Sequence, residues 1–178
     1  QTVLVLNEVG RHRLPPEALG LARIVMLRDN VGLDFGAWRD AVARLPSVWG
    51  AELLLFTNDS IVGPFQGLDR VVDRIAESPA SLFFLTESEF AVRHFQSFFW
   101  GVKGAGLSNP VLRTFLTSVR DMADKAAAIF LYEVFMRQAC EALGGMESLC
   151  LFPLDELTGV DSEIRPTFNP THHLWREL

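Results

Sequence analysis

Cysteine is scarce in this 178-residue chain, with only Cys140 and Cys150, and their separation has no metal-ligand pattern such as C-x-x-C. That argues for two reduced core thiols in a cytoplasmic protein. Long apolar runs are missing too. None reaches the roughly 18 residues that span a bilayer, so no transmembrane segment is expected. No secretory signal opens the sequence. Positive charge is in deficit, with 16 Lys and Arg against 22 Asp and Glu and a net charge of −6. Nucleic acid is therefore not expected as a partner. A nucleotide is still compatible, because it needs only a local pocket rich in N–H groups. There is no G-x-G-x-x-G and no Walker lysine, and no internal repeat or low-complexity segment.

Apolar residues make up 49% of the chain, enough for one domain over residues 1–178 with a full core. The sequence begins without Met, directly on a strand pattern, and reads as a piece of a longer protein.

The chain is organised around Arg28-Asp29-Asn30-Val31-Gly32-Leu33-Asp34-Phe35-Gly36-Ala37-Trp38-Arg39-Asp40. An apolar run over 22–27 precedes this stretch and reads as a buried strand. Phe35, Trp38, Val42 and Leu45 then recur at helical spacing, which predicts an amphipathic helix. Asp34 stands at the expected N-cap, while Asn30 and Gly32 supply the backbone freedom of a tight turn. Such a turn directs several backbone N–H groups at one spot, a place for phosphate. A second apolar run, 51–56, leads into Asn58-Asp59-Ser60 and is expected to be buried on both faces. Two strand ends with polar clusters, one β-α-β unit apart, predict a nucleotide site on an α/β sheet.

Elsewhere, 2–6, 81–85, 98–102 and 147–152 read as strands, and 16–21 as a short helix. Leu68, Val71, Val72 and Ile75 mark an amphipathic helix. Asn109-Pro110 starts another that is expected to reach about 121. A longer helix over 124–143 is closed by Gly144-Gly145. Strands alternating with helices predict an α/β sandwich with a mostly parallel sheet.

The order Asn30-x-Gly32-x-Asp34-Phe35-Gly36-x-Trp38, Thr57-Asn58-Asp59-Ser60-x-x-Gly63-Pro64 and His94-x-Gln96-Ser97-Phe98-Phe99 resembles the rhamnan synthesis protein F family. Tyr132-Glu133 and Asn169-Pro170-Thr171-x-x-Leu174-Trp175 fit it as well, so the likeness runs over nearly the whole chain. That family is glycosyltransferase-like and serves cell-surface polysaccharide synthesis. More broadly, the motif order is similar to that of inverting GT-A enzymes. The resemblance implies a three-layer, Rossmann-related GT-A sandwich whose first β-α unit lies upstream of Gln1. It implies a nucleotide-sugar donor, with rhamnose as the sugar, and a glycan or lipid-linked glycan acceptor. It places the protein in the cytoplasm, at the inner face of the membrane through the full-length chain. Donor contacts would fall to Asn30, Gly32, Asp34, Asn58, Ser60, His94 and Gln96. Asp59 would hold a divalent cation, Mg²⁺ or Mn²⁺. Glu133, eleven residues before Gly144, would be the catalytic base. The sequence departs from the pattern in three places. Asp-x-Asp is reduced to Asn58-Asp59-Ser60, Asn7 before Glu8 stands for an acid, and Val134 stands for the acid after Glu133.

Each of these residues also has an ordinary reading. Asp59 either binds a cation through a carboxylate or caps a polar turn. Asp34 is either an N-cap or a ligand to sugar or base hydroxyls. Glu133 is either a base or one member of an exposed i, i+4 row with Arg137 and Glu141. His94 and Gln96 alternate on one face at the entry to an apolar strand, and either meet the donor or finish the core rim. Glu87 and Glu89 read as solvated, and His172-His173 as surface residues. A different functional class remains open: a non-catalytic GT-A-like module that binds glycan or a partner within a larger synthase.

Overall fold

The computed structural model describes residues 1–7, 16–61, 67–89 and 92–156. Strand β1 (Val3–Asn7) and helix α1 (Pro16–Leu21) lead to β2 (Ile24–Arg28), which pairs with β1 in parallel. Helix α2 (Leu33–Arg44) and a 3₁₀ turn (Pro46–Gly50) precede β3 (Leu53–Thr57). Then come α3 (Asp69–Glu77), β4 (Leu82–Ser88), β5 (His94–Phe95), β6 (Phe99–Lys103), a 3₁₀ turn (Gly104–Ser108) and α4 (Pro110–Thr117). The last helical stretch alternates in type: α5 (Lys125–Ala128), a π-helical turn (Ile129–Val134), α6 (Phe135–Gln138) and a second π-helical turn (Ala139–Leu143). Strand β7 (Ser148–Phe152) and a 3₁₀ turn (Leu154–Glu156) end the described residues.

The fold is α/β, but its sheet is mixed, which corrects the expectation of a mostly parallel one. Four strands lie in the order β3-β6-β4-β5, with β7 beside β4 and β1-β2 as a separate pair. Strand β6 runs antiparallel to both β3 and β4, while β7 is parallel to β4. The chain length between strands decides this. Only ten residues, 89–98, separate β4 from β6, and the described ones among them carry only the two-residue β5, whereas a parallel crossover takes a dozen or more residues, usually helical.

Alternation along β4 divides the core between two faces. Leu82 and Phe84 join one cluster with Phe35, Trp38 and Val42 of α2, Leu112 and Leu116 of α4, and Tyr132, Met136 and Cys140. Phe83 and Leu85 join another with Val71 and Ile75 of α3. Helices thus cover both faces of the sheet. Trp100 anchors the larger cluster, stacked on Phe56 at 4.3 Å and met edge-on by Trp38 at 5.7 Å. Full burial of a side chain such as Phe84 contributes about 1.5–3 kcal/mol.

Two strands expected to be buried are half open: Leu27 of β2 is 57% exposed, and Leu53 and Leu55 of β3 are each 43% exposed. β2 belongs to the separate two-stranded sheet, and β3 pairs only with β6 among the described residues, so their alternate side chains face outward. Val72 also points out, because Val71 and Ile75, one turn apart, take the inward face of α3. Helix ends follow local chemistry. Asn109 Oδ1 accepts from the N–H groups of Val111 and Leu112, and Asp124 Oδ1 from those of Ala126 and Ala127. Helix α4 stops at Thr117 rather than near 121. Gly145, at φ 62°, ends the last helical stretch in the left-handed conformation that glycine favours.

Candidate functional site

The exits of β2 and β3 carry the polar residues that the sequence singles out. At the first exit the N-cap of α2 is Gly32 (φ 77°), not Asp34, and no side chain caps the helix. Leu33 follows with φ 53°, a left-handed conformation that costs a non-glycine residue free energy. Asp34 therefore falls within the first turn, and its Oδ2 accepts from Asn58 Nδ2 at 2.8 Å. The turn is packed from behind. Gly32 N–H donates to the Met122 carbonyl at 2.9 Å, and a Cβ on Gly36 would collide with the Val31 carbonyl. Arg28, buried at the end of β2, donates to Asp40 at 2.7 Å, to Asn7 at 2.6 Å and to the Val31 carbonyl. Asn7 is thus spent on Arg28. Glu8 lies outside the described residues, as do Gly63, Pro64, His172, His173 and the 169–175 motif.

At the second exit, Asn58 Oδ1 accepts the Ser60 N–H at 3.0 Å, an Asx turn. The Asn58 N–H donates to the Phe98 carbonyl at 3.3 Å, and so does Thr57 Oγ1, at 3.1 Å. Asp59 and Ser60 are exposed. Asn30 is exposed at the β2 exit.

The same seam leads to Glu133. Because Thr57 pairs with Phe99 across β3 and β6, Ser97 sits at the sheet edge where β3 ends. Glu133 Oε2 accepts the Ser97 N–H at 2.8 Å and also the Ser97 hydroxyl. Its Oε1 lies 3.7 Å from His94 Nε2, an ion-pair rather than a hydrogen-bond distance. His94 Nδ1 is 2.7 Å from the Val92 carbonyl. Burial pushes the Glu133 carboxyl up. His94, the Ser97 hydroxyl and the Ser97 N–H outweigh that and hold it below the ordinary carboxylate value. Burial likewise pushes the His94 imidazole down, but Glu133 and the Val92 carbonyl raise it above its usual value.

The i, i+4 charge row is thus broken. Arg137 pairs with Glu141 at 2.9 Å, while Glu133 turns to Ser97 and His94. Each π turn takes up an extra residue and rotates the helical residues before it relative to those after it. His94 is only 3% exposed and Gln96 Oε1 accepts from Thr86 Oγ1 at 2.9 Å. His94 is thus buried, while Gln96 is half-buried with its amide oxygen engaged. Glu87, expected in solvent, is 2% exposed and bonded by Arg93 Nε and Nη2 and by the Leu154 N–H. The sequence gives a cue for Ser97, which directly follows His94-x-Gln96, but none for the Glu87–Arg93 pair.

Chemically, this edge offers an ionised carboxylate fixed in one orientation and an amide-to-carboxylate link between two strand exits. At the β3 exit it also offers the exposed carboxylate of Asp59. Among the described residues, no group of three or more His, Cys, Asp or Glu could hold a metal ion.

The chain is 26% identical over 179 residues to Virulence protein VirA of Vibrio anguillarum, a match that covers 85% of this chain and 56% of VirA. A second Vibrio anguillarum VirA sequence matches to the same extent. The chain thus spans about half the length of the curated relatives it matches. No family model matches, and no solved structure does. No helix among the described residues is long and apolar enough to cross a membrane.

Proposed function

We propose that this chain is a glycosyltransferase-like domain of GT-A type that works in the assembly of a cell-surface polysaccharide. A nucleotide-sugar donor, with rhamnose as the sugar, rests against the strand exits at Asn30, Gly32, Asp34, Asn58 and Ser60. Glu133 takes the proton of a hydroxyl on a glycan or lipid-linked glycan acceptor. The acceptor oxygen then bonds to the anomeric carbon from the face opposite the diphosphate. The bond to the diphosphate breaks, and the sugar is inverted. The observation that carries this reading is the Glu133 carboxylate itself, ionised and held by Ser97 at the edge where β3 ends. A general base at such a place contributes about 10²–10⁴-fold.

Asp59 is the residue that would hold Mg²⁺ or Mn²⁺. With a single carboxylate at that exit, the remaining ligands would be phosphate oxygens and water, as is common for Mg²⁺. When bound, such an ion offsets the charge of a departing diphosphate.

A second reading is a glycan- or partner-binding module without catalysis. The mutual satisfaction of Asp34 with Asn58 and of Glu133 with Ser97 favours it, since polar groups paired with one another have less left for substrate. Titration calorimetry with nucleoside diphosphates and sugar nucleotides, with and without Mn²⁺, separates the two. The enzyme binds one of them with metal-dependent affinity; silence toward all of them, with heat on adding oligosaccharide, overturns the first reading in favour of the second.

A further inference from the structure

Oε2 of Glu133 is fully engaged, since Ser97 donates to it twice, through backbone N–H and hydroxyl. A proton arriving from outside can therefore go only to Oε1, the oxygen that faces His94 Nε2 at 3.7 Å. His94 has little freedom of its own. Its Nδ1 meets a carbonyl, that of Val92, which can only accept, so Nδ1 carries hydrogen. Nε2 is then the nitrogen that gains or loses a proton. A bare Nε2 lone pair would face a carboxylate oxygen, an arrangement that protonation relieves. The nearby cations are committed elsewhere: Arg137 to Glu141 at 2.9 Å with Glu87 at 3.9 Å, and Arg93 to Glu87 and Asp155, each at 2.6 Å. His94 is thus the group whose protonation would give Glu133 a cationic partner.

We infer that His94 and Ser97 are positioning residues for Glu133, and that the His94–Glu133 pair, rather than Glu133 alone, is the acid–base unit of this site. The inference rests on the proposal that Glu133 is the base. Ser97 fixes which oxygen is available. His94 sets how strongly that oxygen holds a proton: Glu133 is a weak base beside imidazolium and a stronger one once His94 loses its proton. The proton passes from the acceptor hydroxyl to Oε1, and the His94 ring, with Nε2 3.7 Å away, acts on that oxygen through its charge.

The test uses NMR titration of the imidazoles in the whole chain, comparing the intact protein with Glu133→Gln. Removal of the carboxylate's charge should lower the proton affinity of His94 by roughly tenfold or more, one unit or more of its titration midpoint. An unchanged His94 titration overturns the inference. With a donor and acceptor in hand, kcat/KM of the intact protein should rise with pH through the His94 ionisation. His94→Gln should flatten that limb while leaving the donor's dissociation constant within about twofold. Ser97→Ala should lower kcat with KM little changed, and Ser97→Thr, which keeps the hydroxyl, should restore it. A His94→Gln profile that keeps the limb overturns the pair as the acid–base unit. Failure of every sugar nucleotide to bind in calorimetry sinks the glycosyltransferase reading instead, and the NMR titration still decides whether the two residues are coupled.

Discussion

The side-chain amide of Asn58 donates to Asp34 Oδ2 at 2.8 Å, tying the end of β3 to the first turn of α2 across 24 positions of sequence. Asn58→Ala should release Asp34 and cost about 1.5–3 kcal/mol at most, the range for a hydrogen bond to a charged group, with partial exposure reducing it. Asn58→Asp should cost more than Asn58→Ala, because two carboxylates would then face each other. Urea unfolding of the two variants checks the order; equal midpoints would remove the link as a stabilising contact.

Glu133→Gln keeps the shape of the side chain and removes its charge. If Glu133 is the base, turnover should fall by about 10²–10⁴-fold while donor affinity is retained. Single-turnover kinetics beside calorimetry separate the two quantities. Unchanged turnover would discard the base assignment.

Asp59 is exposed and accepts no hydrogen bond from the described residues in its neighbourhood. Asp59→Asn should therefore leave the melting temperature within about a degree, as expected for a surface change, yet abolish the Mn²⁺ dependence of donor binding. Metal-dependent binding that survives in Asp59→Asn would place the ion elsewhere.

The Glu133–His94 pair also gives stability a defined pH window. Glu133 is held below its usual value, so its contribution is present above the unfolded value near 4.5 and is lost as pH falls through the folded one. His94 is raised, so its contribution is complete below 6.5 and is lost as pH climbs through its folded value. Asp40 adds to the acid limb. Burial pushes it up, but Arg28 and Arg39 hold it below its ordinary value. Denaturant midpoints from pH 3 to 9 should show a plateau between these limbs, and His94→Gln should remove the alkaline fall. An alkaline limb that persists in that variant would belong to another group.

Gly36 lies against the β2–α2 turn, and a Cβ there would meet the Val31 carbonyl and come within 3.1 Å of Arg28 Nη2. Gly36→Ala would ordinarily favour a helix. Here it should destabilise by about 1–3 kcal/mol, as overpacking does. Thermal unfolding checks the sign, and stabilisation would mean that the turn shifts freely.

Trp38 and Val42 were legible as a buried face because helical periodicity is a local property, and both are buried in the larger core cluster. The N-caps at Asn109 and Asp124 and the stop at Gly144-Gly145 depend on neighbours within a few residues, so the sequence carries them as well. The positions of Asp59 at a strand exit and of Ser97 just beyond His94-x-Gln96 could likewise be read in advance.

What the sequence by itself determined is therefore the class of the fold, the helix starts at Asn109 and Asp124 with the stop at Gly144-Gly145, and the buried face of α2. The tertiary structure alone decided the reversed direction of β6, the exposure of Leu27, Leu53 and Leu55, and the partners of Glu133. Strand direction depends on whether a short connection can cross over. Burial of a strand face depends on what packs over it from elsewhere in the chain. The orientation of Glu133 depends on a π turn whose extra residue leaves no mark in the spacing, and on Ser97, which lies 36 positions away and is brought near only when β6 pairs with β3.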